Sequence, residues 1–297
     1  MKALFIKGVV VATSLMASAA SADARRNLEI HPNLTYTQAA TENGPIALKL
    51  DFAAPRGACV SPRPTMVMLH GGGFKTGSRK SRNWKNFAVK FAKEGWNSAS
   101  ISYRLVKDEP VINPIFMQAI PDDLVGEKRD QAIAGAGAVE TTIEAVGFLA
   151  NQGSHACIDP NNIFLIRSSA GGVAALNTTF LPDEFGLPKP NVAGVVNFWG
   201  ALSNINAMGR NDTPVFIIHG TADRTVKFES SESLFARGQE TGTPVQLHAY
   251  QGRDHGWKRF NAYEDTINGR SAVEVMIDWI DTVASGRRPT TLRTNNR

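Results

Sequence analysis

The sequence predicts an α/β protein built on a mostly parallel central sheet with helices on its faces. Short apolar runs alternate along the chain with segments of helical periodicity, which is the pattern of successive βαβ units. The chain has 297 residues, of which 42% are hydrophobic and 20% charged, a composition typical of a globular domain with one core. No internal repeat or linker is visible. We therefore expect a single domain over residues 23–285.

The predicted elements alternate in chain order. The first apolar run is expected to be an edge strand, and the strands are predicted at 48–52, 65–69, 98–103, 162–166, 192–198, 215–218 and 245–250. Helices are predicted near 84–93, 130–151 and 272–283. The first of these helices keeps its apolar residues at a spacing of 3.6, and the second is rich in Ala and Gly, which suits close packing on a sheet.

The first 22 residues have the features of a secretory signal peptide. A short basic start with Lys2 and Lys7 precedes an apolar stretch over 8–16, and small residues then offer cleavage sites after Ala22 or, as an alternative, Ala19. The apolar stretch is far shorter than the roughly 20 residues that cross a bilayer, and no later segment approaches that length, so no membrane span is predicted. The mature protein is expected to be exported, to the periplasm or the medium.

The charge balance of the chain is mildly basic. The formal net charge is +5 at pH 7, and removal of residues 1–22 takes away two lysines and no acidic residue, which leaves +3. Part of the excess lies in residues 286–297, which we expect to be a disordered polar tail. The rest is expected on a solvated surface, with attraction to an anionic envelope or polysaccharide as the functional alternative. The sequence has no basic–aromatic stripe, so nucleic-acid binding is not predicted.

The most informative segment is an apolar run from Asn162 that leads into Ser169, followed by Ala170, Gly171 and Gly172. A serine hydroxyl attacks when it projects from a sharp turn between a strand and a helix, and such a turn needs small neighbours. Turns of this kind are common and mostly structural, so the serine alone is a weak signal. Partners elsewhere in the sequence make Ser169 the predicted nucleophile.

Three further motifs follow apolar runs. His70 begins a segment of three glycines whose amides can converge on one point, as the donors of an oxyanion hole do. Asp223 and His255 come later, and a histidine base with an orienting carboxylate is what activates a serine hydroxyl. Asp223 could instead cap a helix. Asp254 is a rival acid, although neighbouring residues rarely face each other well enough to share a hydrogen bond.

On these motifs the chain resembles an α/β-hydrolase of the esterase/lipase group that carries a His-Gly-Gly-Gly oxyanion motif, similar to carboxylesterases and feruloyl esterases. The likeness covers residues 45–283. It implies a doubly wound sheet of about eight strands and cleavage of carboxylic esters through an acyl-enzyme intermediate. It makes Ser169 the nucleophile, His255 the general base and Asp223 the residue that orients the base. The oxyanion donors would be the amides of Gly71, Gly72 and Ala170.

One position departs from the Gly-x-Ser-x-Gly pattern of that family, because Arg167 stands two places before Ser169. A Cβ and a long side chain there are expected to strain or open the turn. Two interpretations stay open. In the first, Gly171 and Gly172 leave enough space and the guanidinium reaches solvent or a carboxylate. In the second, the turn is impaired or specialised. Ser168 is the weaker candidate nucleophile, because the two glycines would then lie one place too late.

Export would permit a disulfide between the two cysteines, Cys59 and Cys157. In the sheet that the resemblance implies, the strands that begin six residues after each cysteine are neighbours, so the loops that enter them could meet. We therefore expect a Cys59–Cys157 bridge, remote from the catalytic end of the sheet. No pair of Cys or His residues has metal-ligand spacing, so neither a metal site nor a cofactor is predicted.

Substrate contacts are expected on loops beyond the carboxyl ends of the strands. The candidates are large apolar side chains on such loops, namely Phe74, Phe116, Met117 and Trp199. Because no long insertion resembles a lid, small or polysaccharide-linked esters are the expected substrates. Three alternatives stay open: a non-catalytic binding protein with this fold, an acyltransferase and a peptidase.

Overall fold

The computed structural model describes residues 27–118, 120–153, 155–257 and 260–296. The predicted signal peptide lies outside these residues. The strands are β1 (Leu28–Ala39), β2 (Ile46–Pro55), β3 (Arg63–Leu69), β4 (Asn97–Ile101), β5 (Ile158–Ser168), β6 (Gly194–Phe198), β7 (Val215–Gly220), β8 (Val245–Tyr250), β9 (Thr266–Ile267), β10 (Arg270–Ser271) and β11 (Leu292–Asn296). The α-helices are α1 (Arg82–Lys93), α2 (Pro114–Met117), α3 (Gly126–Gln152), α4 (Ala170–Phe180), α5 (Glu229–Thr241) and α6 (Ala272–Ala284).

Nine of the strands form one central sheet in the order β1-β2-β4-β3-β5-β6-β7-β8-β11. The pairs β1–β2 and β2–β4 are antiparallel and all the others are parallel. The predicted mostly parallel sheet is therefore confirmed, with nine strands where about eight were expected. The order of the strands reverses beside β3, where β4 lies on one side and β5 on the other, and ligands of open α/β sheets bind at such a crevice.

The two faces of the sheet are covered by different helices. In β3, Val67 and Leu69 point into a core shared with α3, α4 and α5, whereas Met66 and Met68 point into a core shared with α1 and α6. Successive residues of a strand face opposite sides of a sheet, so a strand covered on both faces is apolar throughout. This double burial explains why the inner strands were visible as continuous apolar runs.

Both edges of the sheet differ from the sequence prediction. The run at 48–52, predicted as an edge strand, lies inside β2, and β1 pairs along its outer side. Most side chains of β1 are exposed, so this strand has no apolar run to reveal it. The prediction of a disordered tail over 286–297 is wrong for β11, which runs parallel to β8. Backbone pairing and the Asn296 amide, which donates to the Ala249 carbonyl, hold this polar strand in place.

One helix of the described part of the chain, α3, has the length and apolar composition of a membrane span. Its side chains at Ala138, Ala145 and Leu149 are buried in the core beside the sheet. The apolar residues of α3 thus pack against β5 and α4, as in the core helix of a large α/β domain.

Cys59 and Cys157 form a disulfide that joins the loops entering β3 and β5. Their Cα atoms are 5.6 Å apart, and 98 residues separate them in the sequence. The bridge predicted from the resemblance is therefore confirmed, at the amino ends of strands whose carboxyl ends carry the candidate site. Closing so long a loop restricts the unfolded chain, and such a bridge stabilises a fold by roughly 2–5 kcal/mol.

His248 of β8 is buried against β11, and we expect this contact to make the stability of the fold sensitive to acid. Its Nδ1 lies 2.9 Å from Thr294 Oγ1, and its Nε2 is buried without a hydrogen-bond partner among the described residues. Burial lowers the pKa of His248 to about 4. The imidazole is therefore neutral in the folded protein at pH 5 but largely protonated in the unfolded chain. Because the unfolded state binds more protons, stability falls as the pH drops from about 6.5 towards 4.

We therefore expect His248→Asn to reduce the loss of thermal stability between pH 7 and pH 4.5. The measurement is the difference in Tm between the two pH values, compared with that of the unaltered protein. Burial also lowers the pKa of His70 to about 4, so part of the acid sensitivity should remain in the variant. An unchanged pH dependence would show that His248 does not contribute.

Candidate active site

The three predicted catalytic side chains lie on loops at the carboxyl edge of the sheet. Ser169 follows β5 directly and precedes the first residue of α4, with φ 55° and ψ −131°. This left-handed conformation is strained for a residue with a Cβ, and it projects the side chain out of the strand–helix turn. The Ser169 amide donates to the Phe198 carbonyl at 2.9 Å, which ties the turn to the neighbouring strand β6.

Two glycines make this turn sterically possible. A Cβ on Gly172 would lie 2.3 Å from Asn197 Oδ1, and a Cβ on Gly171 would lie 2.8 Å from the His70 carbonyl oxygen. Side chains at either position would therefore push α4 away from the sheet. The small residues that marked this segment in the sequence are required by the close approach of backbone to backbone.

The three side chains form a continuous chain of hydrogen bonds. Ser169 Oγ lies 2.9 Å from His255 Nε2, and His255 Nδ1 lies 2.8 Å from Asp223 Oδ2. The side chain of His255 is 21% exposed, whereas that of Asp223 is fully buried. With its Nδ1 proton held by the carboxylate, the imidazole presents Nε2 to the serine as a proton acceptor.

Both carboxylate oxygens of Asp223 are used. Oδ1 accepts hydrogen bonds from the amides of Thr225 and Val226 at 2.8 and 2.9 Å, and Oδ2 faces His255. Oδ1 therefore holds the turn that follows Asp223, and Oδ2 faces the imidazole. The alternative that Asp223 caps a helix is wrong, because α5 begins at Glu229 with Phe228 as its N-cap. Two backbone donors stabilise the charged carboxylate and fix its plane before it meets the imidazole.

A second histidine, His219, contacts the same carboxylate, an arrangement that no pattern in the sequence indicated. Its Nε2 lies 3.1 Å from Asp223 Oδ2 and 2.9 Å from the Val226 carbonyl, while its Nδ1 lies 2.6 Å from Ser231 Oγ. Since carboxylates and carbonyls only accept, Nε2 carries the proton and Nδ1 accepts from the Ser231 hydroxyl. Burial lowers the pKa of His219, so it stays neutral and leaves the negative charge of Asp223 to His255.

Asp254, the rival acid, has a different role. Its carboxylate forms an ion pair with Arg224, with the closest N–O distance at 2.5 Å, and accepts from the His255 amide at 2.8 Å. The hydrogen bonds from Arg224 hold the pKa of Asp254 well below its usual range. Asp254 therefore fixes the backbone of the loop that carries His255, and the imidazole bonds to Asp223 instead.

The glycine loop lies against the turn at Ser169. A Cβ built on Gly71 would be 3.7 Å from the Ser169 Cβ, and Gly72 has φ 120°. Within the part of the chain that the structure describes, the amides of Gly71, Gly72 and Ala170 donate no hydrogen bond. Free amides beside a nucleophile are the donors that an oxyanion requires, so the geometry is compatible with the predicted role.

His70 and Tyr103 support that loop from below. Their rings stack with centroids 4.0 Å apart, and the Tyr103 hydroxyl donates to the His70 carbonyl. Burial lowers the pKa of His70 to about 4, so the ring is neutral. The neutral imidazole, stacked on Tyr103, therefore packs rigidly beneath the glycine loop.

Arg167 fits into the turn because of the glycine two places after Ser169. A Cβ on Gly171 would lie 2.8 Å from Arg167 Cγ, so the side chain of the arginine occupies the space that the missing Cβ leaves. This agrees with the interpretation that the glycines make room for it. That interpretation expects the guanidinium to reach solvent or a carboxylate. Arg167 is partly exposed and has no ion pair with a carboxylate among the described residues; its Nε is buried without a hydrogen-bond partner, and burial lowers its pKa.

The four candidate substrate residues lie in three different places. The ring of Trp199 meets that of His255 edge to face, with centroids 6.3 Å apart. Phe74 packs edge to face on Tyr103 beneath the glycine loop, at 6.1 Å. Phe116 and Met117 instead lie on α2 in a satellite hydrophobic cluster, and Phe116 lines a different cavity from the one that Ser168 and Trp199 line. The structure thus brings Trp199 to the triad, and it places the α2 residues in a separate core.

Comparison with known proteins agrees with this architecture. The model of the prolyl oligopeptidase family matches residues 197–286, a segment that includes Asp223 and His255. Two Arabidopsis thaliana proteins are similar over part of their length: carboxylesterase SOBER1 is 30% identical over 110 residues, and a probable carboxylesterase SOBER1-like is 28% identical over 99. These matches cover 34% and 33% of this chain, and 48% and 37% of the relatives, so the chain spans less than half the length of either.

Solved structures match over most of the chain. Native esterase 2 of Thermogutta terrifontis superimposes with a TM-score of 0.63 at 19% identity, covering 88% of this chain and 93% of that one. The α/β-hydrolase MGS-M1, from a Medee basin deep-sea metagenome library, gives a TM-score of 0.58 at 16% identity, covering 87% and 99%. At this level of identity the likeness concerns the fold. The chain has the α/β-hydrolase fold, as the sequence resemblance implied.

The contacts of the two aspartates predict different effects on the reactivity of Ser169. Asp223→Asn should slow the labelling of Ser169 by a fluorophosphonate by on the order of 10³-fold or more, because the imidazole loses the carboxylate that holds its tautomer. Asp254→Asn is the matched control and should slow labelling less than about tenfold, since the Asp254 carboxylate contacts Arg224 and the backbone amide of His255 but not its imidazole. The measurement is the pseudo-first-order labelling rate. Equal effects of the two variants would contradict the assignment of the acid.

Proposed function

We propose that this protein is a serine hydrolase that cleaves carboxylic esters. The observation that carries the proposal is the hydrogen-bonded chain from Ser169 Oγ through His255 to the buried carboxylate of Asp223, at a turn that projects the serine. The partial relatives named as carboxylesterases support the same reaction class. Solved structures of esterase 2 of Thermogutta terrifontis include propionate-bound and butyrate-bound forms and one phosphorylated by paraoxon.

In this proposal the reaction has two halves. Ser169 Oγ attacks the carbonyl carbon of the ester while His255 Nε2 takes its proton, and Asp223 stabilises the imidazolium that forms. The amides of Gly71, Gly72 and Ala170 donate to the carbonyl oxygen as it becomes negative. His255 then gives the proton to the departing alkoxide oxygen, which leaves an acyl-enzyme. Water, deprotonated by His255, attacks the acyl carbon, and the carboxylic acid departs as Ser169 regains its proton.

The same triad could transfer the acyl group to another alcohol or cleave an amide. The match to the prolyl oligopeptidase family favours the peptidase alternative over the segment 197–286. A non-catalytic protein of this fold would have no need for three aligned side chains in one hydrogen-bonded chain. Parallel assays with a p-nitrophenyl ester, the same ester with a competing alcohol, and a p-nitroanilide separate these activities.

Replacement of the nucleophile provides the direct test. Ser169→Ala is expected to lower the hydrolysis of p-nitrophenyl butyrate by on the order of 10⁴- to 10⁶-fold and to abolish fluorophosphonate labelling, because no hydroxyl remains to attack. Ser168→Ala, which removes the neighbouring hydroxyl, should still be labelled. Circular dichroism confirms that each variant is folded. Undiminished turnover by Ser169→Ala, or a folded parent that neither labels nor hydrolyses the ester, would refute the proposal.

We also propose that the protein is exported after cleavage behind Ala22. The basic start, apolar stretch and small residues of positions 1–22 support this, and the Cys59–Cys157 disulfide suits an oxidising compartment.

Export predicts a defined amino terminus and a defined redox state. Protein recovered from the periplasm or the medium should begin at Asp23 and contain no titratable thiol, because the two cysteines are bridged. Amino-terminal sequencing and thiol titration under denaturing conditions measure both. A chain lacking residues 2–22 should remain in the cytoplasm, and recovery of the intact chain with Met1 from the cytoplasm would contradict export.

A further inference from the structure

His219 is a buried ionisable residue that takes no direct part in the proposed reaction. It lies near the end of β7, and its side chain is fully buried. The proposed reaction moves a proton only between Ser169, His255 and the substrate or water. Nevertheless, His219 Nε2 reaches the same oxygen of Asp223 that His255 contacts. His219 can therefore influence the triad through this shared carboxylate oxygen.

The groups around the ring of His219 fix its proton on Nε2. Nε2 lies 2.9 Å from the Val226 carbonyl oxygen and 3.1 Å from Asp223 Oδ2, and both of these oxygens are acceptors. Nδ1 lies 2.6 Å from the hydroxyl of Ser231 on α5, which can donate to it. Phe228 packs edge to face on the ring, with centroids 5.6 Å apart. If Nδ1 carried the proton instead, the lone pair of Nε2 would face two oxygens, so the tautomer that donates to Asp223 is favoured.

The carboxylate of Asp223 holds four hydrogen bonds, which is the full capacity of its two oxygens. Oδ1 accepts from the amides of Thr225 and Val226, and Oδ2 accepts from His219 and His255. Three of the four donors are independent of His255, and donors of this kind stabilise the ionised form of a buried carboxylate. Two of the three are backbone amides. The donor of His219 is thus the one that a substitution can remove.

The carboxylate of Asp223 is the charge that faces both imidazoles directly. The charged residues one contact further out, beside the His255 amide and beyond the ring that packs on His219, are Asp254, Arg224, Glu232 and Arg293. These four are paired with one another at the surface. Burial lowers the pKa of His219, so this imidazole is neutral and adds no charge. Its effect on the triad is therefore that of a hydrogen-bond donor.

We infer that His219 is a positioning residue of the triad, and that its hydrogen bond to Asp223 sets the pH below which Ser169 loses its base. The donor stabilises the charged carboxylate and occupies one acceptor position of the oxygen that binds His255. Without it, the pair of Asp223 and His255 holds a proton more tightly, whichever partner carries it, and a protonated pair cannot activate the serine. The effect on rate rests on the proposed hydrolytic function, whereas the proton affinity of the pair depends only on these contacts.

His219→Phe removes the donor and keeps a planar ring in the same place. We expect the acid limb of the pH profile of kcat/KM for p-nitrophenyl butyrate to move to higher pH by about 0.5–1 unit, a roughly three- to tenfold change in proton affinity, because the ionised carboxylate has lost a hydrogen bond. His219→Gln can place an amide N–H near the position of Nε2 and should restore most of the original midpoint. A packing defect alone would lower the plateau of the profile without moving its midpoint.

A second buried histidine provides the matched control. His248 lies in the adjacent strand β8, and its Nδ1 also contacts a hydroxyl, but no carboxylate contacts its ring in the part of the chain that the structure describes. His248→Phe makes the same substitution in the same sheet and should leave the midpoint unchanged. His219→Leu is a second variant in case His219→Phe does not fold, and circular dichroism at each pH monitors the fold. A midpoint that stays the same in a folded His219 variant, or that moves equally in His248→Phe, would overturn the inference.

A measurement without turnover separates this inference from the proposed function. In Ser169→Ala, which cannot form an acyl-enzyme, NMR of ¹⁵N-labelled histidine follows the protonation of the His255 ring, whose signal is assigned by its loss in His255→Asn. The added His219→Phe change should raise the midpoint of this titration by a similar amount. If no ester is hydrolysed but the NMR midpoint moves, the role of His219 is supported and the esterase proposal fails. If esters are hydrolysed but the midpoint does not move, the role of His219 is refuted while the esterase proposal stands.

Discussion

The close approach of α4 to the carboxyl edge of the sheet is the constraint on which the rest of the site depends. Gly171 and Gly172 have no Cβ, so the helix can begin within contact distance of the His70 carbonyl and of the Asn197 side chain. At this turn Ser169 has a positive φ, and its hydroxyl lies within hydrogen-bond distance of His255. The strain at one residue is thus maintained by the packing of two strands and a helix around it.

The acid and base are positioned by polar contacts rather than by apolar packing. Asp223 is buried, yet every oxygen has a partner, and the second histidine on that carboxylate is kept neutral by burial. At the surface, the ion pair between Arg224 and Asp254 joins the loop of Asp223 to the loop of His255. A buried charge with satisfied hydrogen bonds resists reorientation, so the imidazole meets the serine in one geometry. Arg167, which is partly exposed, forms no ion pair with a carboxylate among the described residues.

Much of the fold was predictable because the inner strands are covered on both sides. Residues 66–69 of β3 are apolar at every position, as expected of a parallel strand covered on both faces. The edge strands β1 and β11 were not predicted, because they are not covered on both faces. In β1 most side chains face solvent, and in β11 the sequence is polar, so backbone hydrogen bonds to a neighbouring strand are what make each of them a strand. Such pairing depends on a partner distant in the chain and leaves no local pattern.

The sequence by itself determined the α/β class, the residues of the serine turn, and the order of Ser169, Asp223 and His255, because each follows an apolar strand and strand ends share one edge of a parallel sheet. Only the tertiary structure decided which oxygen of Asp223 faces which partner, that His219 shares that carboxylate, and that the stem of Arg167 packs against Gly171. Those features arise from side chains that meet across different loops and strands. Their distances and protonation states are set by burial and direction, which only the packed chain defines.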